Sequence, residues 1–97
     1  MTLVEFHPEA TNEAAAARRW YAARSARAAA RFADAIDQAI EATAENPSQA
    51  AMYLAGTRRV VLRRFPYLIV YRENAERIQV VAVAHGKRRP GYWKNRT

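Results

Sequence analysis

Apolar residues recur with two different periods along the chain, and the change comes near Pro47. The segment Leu3–Phe6 is rich in β-branched and aromatic residues, which predicts a short strand. From Pro8 to about Asn46 there is no glycine and no further proline, and alanine, the best helix former, dominates. Helical spacing in the later part is carried by Phe32, Ile36, Ala39, Ile40 and Thr43.

This alanine-rich stretch is too long for one ordinary globular helix. The most favourable break is at Arg24-Ser25, because serine is a good helix N-cap. The pattern therefore predicts a hairpin of two helices, although a single kinked helix remains an alternative. Asn46-Pro47 should end the second helix, since a residue before proline avoids the helical conformation.

Beyond a connector at 48–57, the chain has the composition of short strands separated by turns. The predicted strands are Arg59–Arg63, Tyr67–Arg72 and Ile78–Ala84, and together they indicate a three-stranded antiparallel meander within 58–85. Strand, helical hairpin and meander make a two-layer α+β fold, with 1–97 as a single domain. The second sheet face has no predicted layer over it, so we expect it to be available to ligands.

Charge is distributed unevenly between the halves of the chain. The net charge is +7, yet residues 1–50 carry five Arg against seven acids and residues 51–97 carry eleven Lys/Arg against two acids. Such asymmetry suggests an anionic partner, for which nucleic acid, an acidic protein segment and a membrane surface all qualify. A generally basic, solvated surface is the alternative.

Several classes of site are not predicted. The chain has no cysteine, which excludes disulfides and thiol chemistry and fits a cytoplasmic location. It has no glycine-rich phosphate loop and only two separate histidines, so we expect neither a cofactor nor a metal. No apolar run approaches the roughly 18 residues of a membrane helix, and no membrane partner is expected.

The remaining candidates for chemistry are basic and aromatic residues of the second half. Arginine matches phosphate geometry, and histidine exchanges protons near neutral pH. Tyr92 and Trp93 are able to stack on an unpaired base or, alternatively, to pack the tail onto the sheet. Arg63 and His85 have equally plausible structural roles, as a polar strand position and a strand-end histidine.

Three segments resemble the RelE/ParE toxin superfamily: 6–10 before the helices, 59–72, and 81–93 with its His85-Gly86-Lys87-Arg88 step. The resemblance spans nearly the whole chain and implies this same fold. It also implies the toxin of a type II toxin–antitoxin pair, with a cognate antitoxin as partner and a possible hetero-oligomer of the two. The long alanine-rich hairpin and the His-Pro-Glu opening are more similar to the ParE branch, which includes plasmid stabilisation toxins.

The two branches of the superfamily imply different targets. ParE-like members inhibit DNA gyrase and are not nucleases, whereas RelE-like members cleave mRNA on the ribosome. If the chain were RelE-like, the resemblance would assign catalytic roles to Arg63, Arg88 and Tyr92, with His85 and Lys87 beside them. We favour the ParE-like function, with the RelE-like nuclease and an inactive binding module of the same fold as alternatives.

Overall fold

The structure is a computed structural model that describes residues 2–97. Its elements follow the predicted order of strand, two helices and further strands. In chain order they are β1 (Leu3–Phe6), α1 (Pro8–Ala22), α2 (Ala26–Glu45), β2 (Ala51–Met52), β3 (Arg58–Val61), β4 (Tyr67–Asn74) and β5 (Arg77–His85).

The two helices begin and end where their capping residues require. At α1 the Nδ1 atom of His7 accepts a hydrogen bond from the Glu9 N–H, and Pro8 occupies the first turn, where its missing N–H is no loss. At α2 the Ser25 hydroxyl accepts from the Ala28 N–H. The predicted hairpin with its break before Ser25 is confirmed.

The sheet has the strand order β1-β5-β4-β3-β2. The predicted meander is confirmed, since β3, β4 and β5 pair antiparallel in sequence. The sheet is nevertheless mixed rather than purely antiparallel, because β1 pairs parallel with β5 from Leu3↔Arg77 to Phe6↔Val80. The helical hairpin carries the chain from β1 at one edge of the sheet to β2 at the opposite edge. The meander then leads back to β5, which lies beside β1 and runs parallel to it. The connector also contributes the two-residue strand β2.

The main core lies between the hairpin and one face of the sheet. Four aromatic rings from separate elements meet there: Tyr21, Phe32, Phe65 and Tyr67, with ring centroids 5.3 Å apart in four pairs. Around them pack buried aliphatic side chains such as Ile36, Ile69 and Val80. The helices cover the sheet as the two-layer prediction requires.

The opposite face of the sheet is not free, which corrects the expectation that it is open to ligands. Trp93, only 1% exposed, packs there with Val70, Val81 and Ala84. Tyr53 of the connector lies beside it, with the two ring centroids 5.9 Å apart. The C-terminal tail supplies this covering because burying an indole ring stabilises more than leaving it in water. Of the two roles considered for Trp93, packing is therefore the one observed.

The turn between β4 and β5 places alanine in a conformation that favours glycine. Ala75 has a φ of 52°, and a left-handed residue with a Cβ costs about 1–2 kcal/mol. We predict that Ala75→Gly raises the free energy of unfolding by about 1 kcal/mol, since part of that gain is offset by glycine's greater chain entropy. Thermal unfolding should show a melting temperature higher by about 4–8 °C.

The matched control is Ala30→Gly, an exposed position inside α2. There the same change should lower stability by about 1 kcal/mol. Destabilisation of equal size at both positions would contradict the left-handed conformation of Ala75.

Candidate functional site

An open groove runs between α2 and the outer side of β3. It has a volume of about 810 Å³, and its apolar floor includes Val60, Leu62 and Phe65. Its charged lining residues are Arg27, Arg31, Asp34, Arg63 and Arg64. Apolar surface with a mostly cationic rim is suited to a partner segment that carries both apolar anchors and acids. We call this depression the α2–β3 groove.

A second depression, here the α1 cleft, lies between α1 and the ends of β4 and β5. It has a volume of about 440 Å³ and is lined by aromatic and basic residues that include Trp20, Tyr67, His85 and Arg88. The His85 ring lies against the Tyr67 ring at 5.0 Å, and its Nδ1 accepts from the Lys87 N–H. His85 is thereby held at the strand end by two neighbours.

The carboxylate of Glu13, at the margin of the α1 cleft, joins α1, β5 and the tail. It accepts hydrogen bonds from the Val83 N–H at 3.0 Å and from the Tyr92 hydroxyl at 2.6 Å. Both of its oxygens also accept from the Arg96 guanidinium, at 2.8 and 2.9 Å, and Arg96 donates further to the Val81 carbonyl. A two-pronged arginine–carboxylate pair of this kind fixes geometry as well as charge.

These contacts shift the pKa values of Glu13 and Tyr92 in opposite directions. Burial opposes ionisation of Glu13, but the hydrogen bonds from Arg96, Tyr92 and Val83 outweigh it and hold the pKa of Glu13 below its ordinary value. Burial, reinforced by donation to Glu13, raises the pKa of Tyr92 well above its ordinary value. The Tyr92 hydroxyl therefore stays protonated at neutral pH and already has an acceptor.

The residues that the RelE-like alternative assigns to RNA chemistry do not all line one depression. His85 and Arg88 share the α1 cleft, whereas Arg63 lines the α2–β3 groove. The side chain of Lys87 is exposed on the turn after β5. Tyr92 holds Glu13 through its hydroxyl and lies under the guanidinium of Arg88, 3.8 Å from its ring centroid. Their catalytic roles remain a prediction.

Exposed cations concentrate at one end of the sheet. The turn after β3 and the turn after β5 meet there, because the Gly86 N–H donates to the Pro66 carbonyl at 2.7 Å. These two turns carry Arg63, Arg64, Lys87, Arg88 and Arg89, a group we call the basic end. Within residues 2–97, no carboxylate lies within ion-pair distance of any of the five.

Sequence reasoning missed Glu13 and Arg96 as a structural pair. Glu13 resembles an ordinary solvent-facing acid at the start of an alanine-rich helix, and Arg96 resembles one more charge in a basic tail. They are separated by 83 positions, and no local pattern links residues that far apart. The sequence gives only the spacing: Glu13 lies three residues after Ala10 and four before Ala17, on the helix face that the structure buries.

The described part of the chain shows neither a cluster of metal ligands nor a membrane-spanning helix. No three His, Asp or Glu side chains among residues 2–97 lie together so as to hold a metal ion. Neither helix in this range has the length and apolar character required to cross a membrane.

The element order and the helical hairpin on one sheet face are those that the resemblance to the RelE/ParE superfamily implied. The chain belongs to the ParE toxin family: residues 4–90 match the family described as "ParE toxin of type II toxin-antitoxin system, parDE". The predicted ParE-like branch is confirmed, and the chain is a ParE-like toxin component of such a system.

A solved structure supports the fold. The chain is similar to "Chromosomal ParDE TA system from P. aeruginosa", with a TM-score of 0.76, 18% sequence identity, and coverage of 88% of this chain and 96% of that chain. No curated protein matches the chain.

The Glu13 network yields a stability prediction with a defined pH dependence. Glu13→Gln should lower the free energy of unfolding at pH 7 by about 2 kcal/mol, because Arg96 loses its charged acceptor. A carboxylate whose pKa is depressed by folding stabilises the fold above its ordinary pKa, 4.5 for glutamate, and this contribution is lost as pH falls through the depressed value. The difference between wild type and Glu13→Gln should therefore shrink below about pH 4.5.

Denaturant unfolding at pH 7, 5, 4 and 3 provides the measurement. Glu41→Gln is the control, since Glu41 is exposed on α2 and far from the tail in sequence. It should change stability little at any of these pH values. A deficit of Glu13→Gln that is constant with pH would show that the Glu13 charge does not stabilise the fold.

Proposed function

We propose that this ParE-like toxin acts in the cytoplasm on DNA gyrase, and that a cognate antitoxin neutralises it by occupying the α2–β3 groove. The observation that favours this function over the RelE-like nuclease is the state of Tyr92, whose hydroxyl donates to Glu13 and whose pKa is raised. A tyrosine so engaged is unsuited to exchange protons with RNA. Membership of the ParE family supports gyrase as the target, because gyrase inhibition is the kind of action that ParE toxins are known for.

The groove has the features that an antitoxin segment requires. Only the first half of β3 has an outer partner, since β2 pairs with Arg58 and Arg59 alone. Beyond that point Val61 is 61% exposed, and the outer edge of the sheet has no further strand in the described chain. An extended segment can add to such an edge through backbone hydrogen bonds while its side chains enter the groove.

Binding of the antitoxin should depend on Val61 at the exposed edge. Val61→Asp places a carboxylate where we expect apolar anchors and acids of the antitoxin, so affinity should fall by at least tenfold. Val61 is mostly exposed, and the fold should tolerate the change. Titration of purified toxin with antitoxin by calorimetry measures the effect.

Leu3→Asp is the matched control, because Leu3 is also exposed but lies on β1, at the opposite edge of the sheet. It should leave antitoxin affinity unchanged. If both substitutions lowered antitoxin affinity equally, and circular dichroism showed both proteins to be folded, the proposal that the antitoxin binds in the α2–β3 groove would be contradicted.

Induced expression separates gyrase inhibition from RNA cleavage. We expect growth arrest with gyrase-dependent DNA breaks, and no new RNA 5′ ends at codon positions. Arg63→Ala and Arg88→Ala should weaken arrest by weakening binding, without any change in RNA. Mapping of RNA 5′ ends and a supercoiling assay with purified gyrase make the two measurements.

Codon-position cuts that disappear in Arg63→Ala would overturn the proposal in favour of the RelE-like nuclease. Arrest without gyrase inhibition or RNA cleavage would overturn it as well. If both variants kept full toxicity, Arg63 and Arg88 would not be part of the surface that binds the target.

A further inference from the structure

The basic end brings five exposed cations together on two adjacent turns. Arg58, Arg77 and Arg96 each form an ion pair, with Glu73, Glu5 and Glu13 respectively. The five cations of the basic end are all exposed, and the structure shows no such pair for them among residues 2–97. Glu13 lines the α1 cleft together with Arg88, but its carboxylate already accepts hydrogen bonds from Arg96, Tyr92 and Val83. This end of the sheet thus presents a concentration of positive charge that no carboxylate within residues 2–97 neutralises through an ion pair.

The turns that carry these cations are well anchored. Gly86 donates to the Pro66 carbonyl, and Arg88 N–H donates to the His85 carbonyl. The Arg88 guanidinium rests on the Tyr92 ring, which the Glu13 network in turn holds in place. Cations held on an ordered surface lose less conformational entropy on binding an anion than cations on a free tail.

A guanidinium occupies one face of each of two aromatic rings beside the basic end, although Trp20 remains 52% exposed. The guanidinium of Arg24 lies 3.6 Å from the Trp20 ring centroid, and that of Arg88 lies 3.8 Å from the Tyr92 ring centroid. Tyr67 contacts the rings of Phe32 and His85. Proteins that hold single-stranded nucleic acid stack its bases on free aromatic faces. The five residues of the basic end are all cations, which suits a ligand whose bases are stacked on each other and whose phosphates face outward.

We propose that the basic end binds the phosphate backbone of double-stranded DNA. The inference rests on the proposed function in one respect, since the relevant DNA would be the duplex bound by gyrase. The toxin would then contact both components of the gyrase–DNA complex, with Lys87 and Arg89 reaching phosphates from the turn after β5. Such contacts are independent of base sequence and release counterions.

The test measures binding of the purified toxin to a fluorescently labelled 30-base-pair DNA duplex by anisotropy between 25 and 200 mM salt. With three to five phosphate contacts, log K should fall with log salt at a slope of about −3 to −4.5. The variant is Lys87→Gln with Arg89→Gln, which avoids Arg88 because that side chain packs on Tyr92. It should bind about 10- to 100-fold more weakly at 100 mM salt and reduce the slope by about 2.

The control removes the same charge elsewhere. Arg18→Gln with Arg19→Gln changes two exposed arginines of α1 and leaves the basic end intact. It should retain nearly wild-type affinity and slope. Equal weakening by both double variants would show a net-charge effect only and would overturn the proposal.

Two competing anions complete the design. A polyglutamate peptide, or an RNA duplex of equal length, that binds more tightly than the DNA duplex would overturn the assignment to DNA. Absence of duplex binding at 25 mM salt would do the same, even if the toxin inhibits gyrase. Conversely, duplex binding without gyrase inhibition would refute the proposed target while leaving the DNA-binding surface in place.

Discussion

The free edge of β5 is the constraint on which the rest of this fold depends. β1 pairs with β5 only as far as Val80, so the backbone beyond it would face solvent or remain unpaired. Unpaired backbone groups at a half-buried edge are costly, and an open edge also invites pairing with other chains. Glu13 accepts from the Val83 N–H and Arg96 donates to the Val81 carbonyl, so one ion pair closes the edge.

Closing the edge in this way determines where the tail lies. With Arg96 held at Glu13, the residues before it must cross the second face of the sheet, and Trp93 is buried there. Tyr92 is drawn to the same carboxylate and supports Arg88 from below. A structural requirement of the sheet thereby orders the turn that carries the exposed cations. The position of Arg88 in the basic end is therefore a consequence of how the backbone groups at the β5 edge are hydrogen-bonded.

The basic and aromatic residues that the RelE-like alternative would use are present in this member of the ParE family, so residue identity alone does not separate the two proposed activities. Tyr92 occupies the place of a tyrosine that the RelE-like alternative would use in catalysis. Its donation to Glu13 and its raised pKa favour a structural role for the hydroxyl. Arg63 faces a different depression from His85 and Arg88. Such distinctions depend on side-chain partners rather than on residue types.

Local features of the sequence were sufficient to predict the helical hairpin, its break before Ser25, the meander and the concentration of charge in the second half. Each depends on neighbours within a few positions: caps, alanine content, strand composition and turn residues. The parallel pairing of β1, the burial of Trp93 and the Glu13–Arg96 pair were decided only by the tertiary structure. The β1–β5 pairing and the Glu13–Arg96 pair join residues more than seventy positions apart, and the burial of Trp93 packs the C-terminal tail against a sheet face. Such contacts form only when the folded sheet brings both partners together.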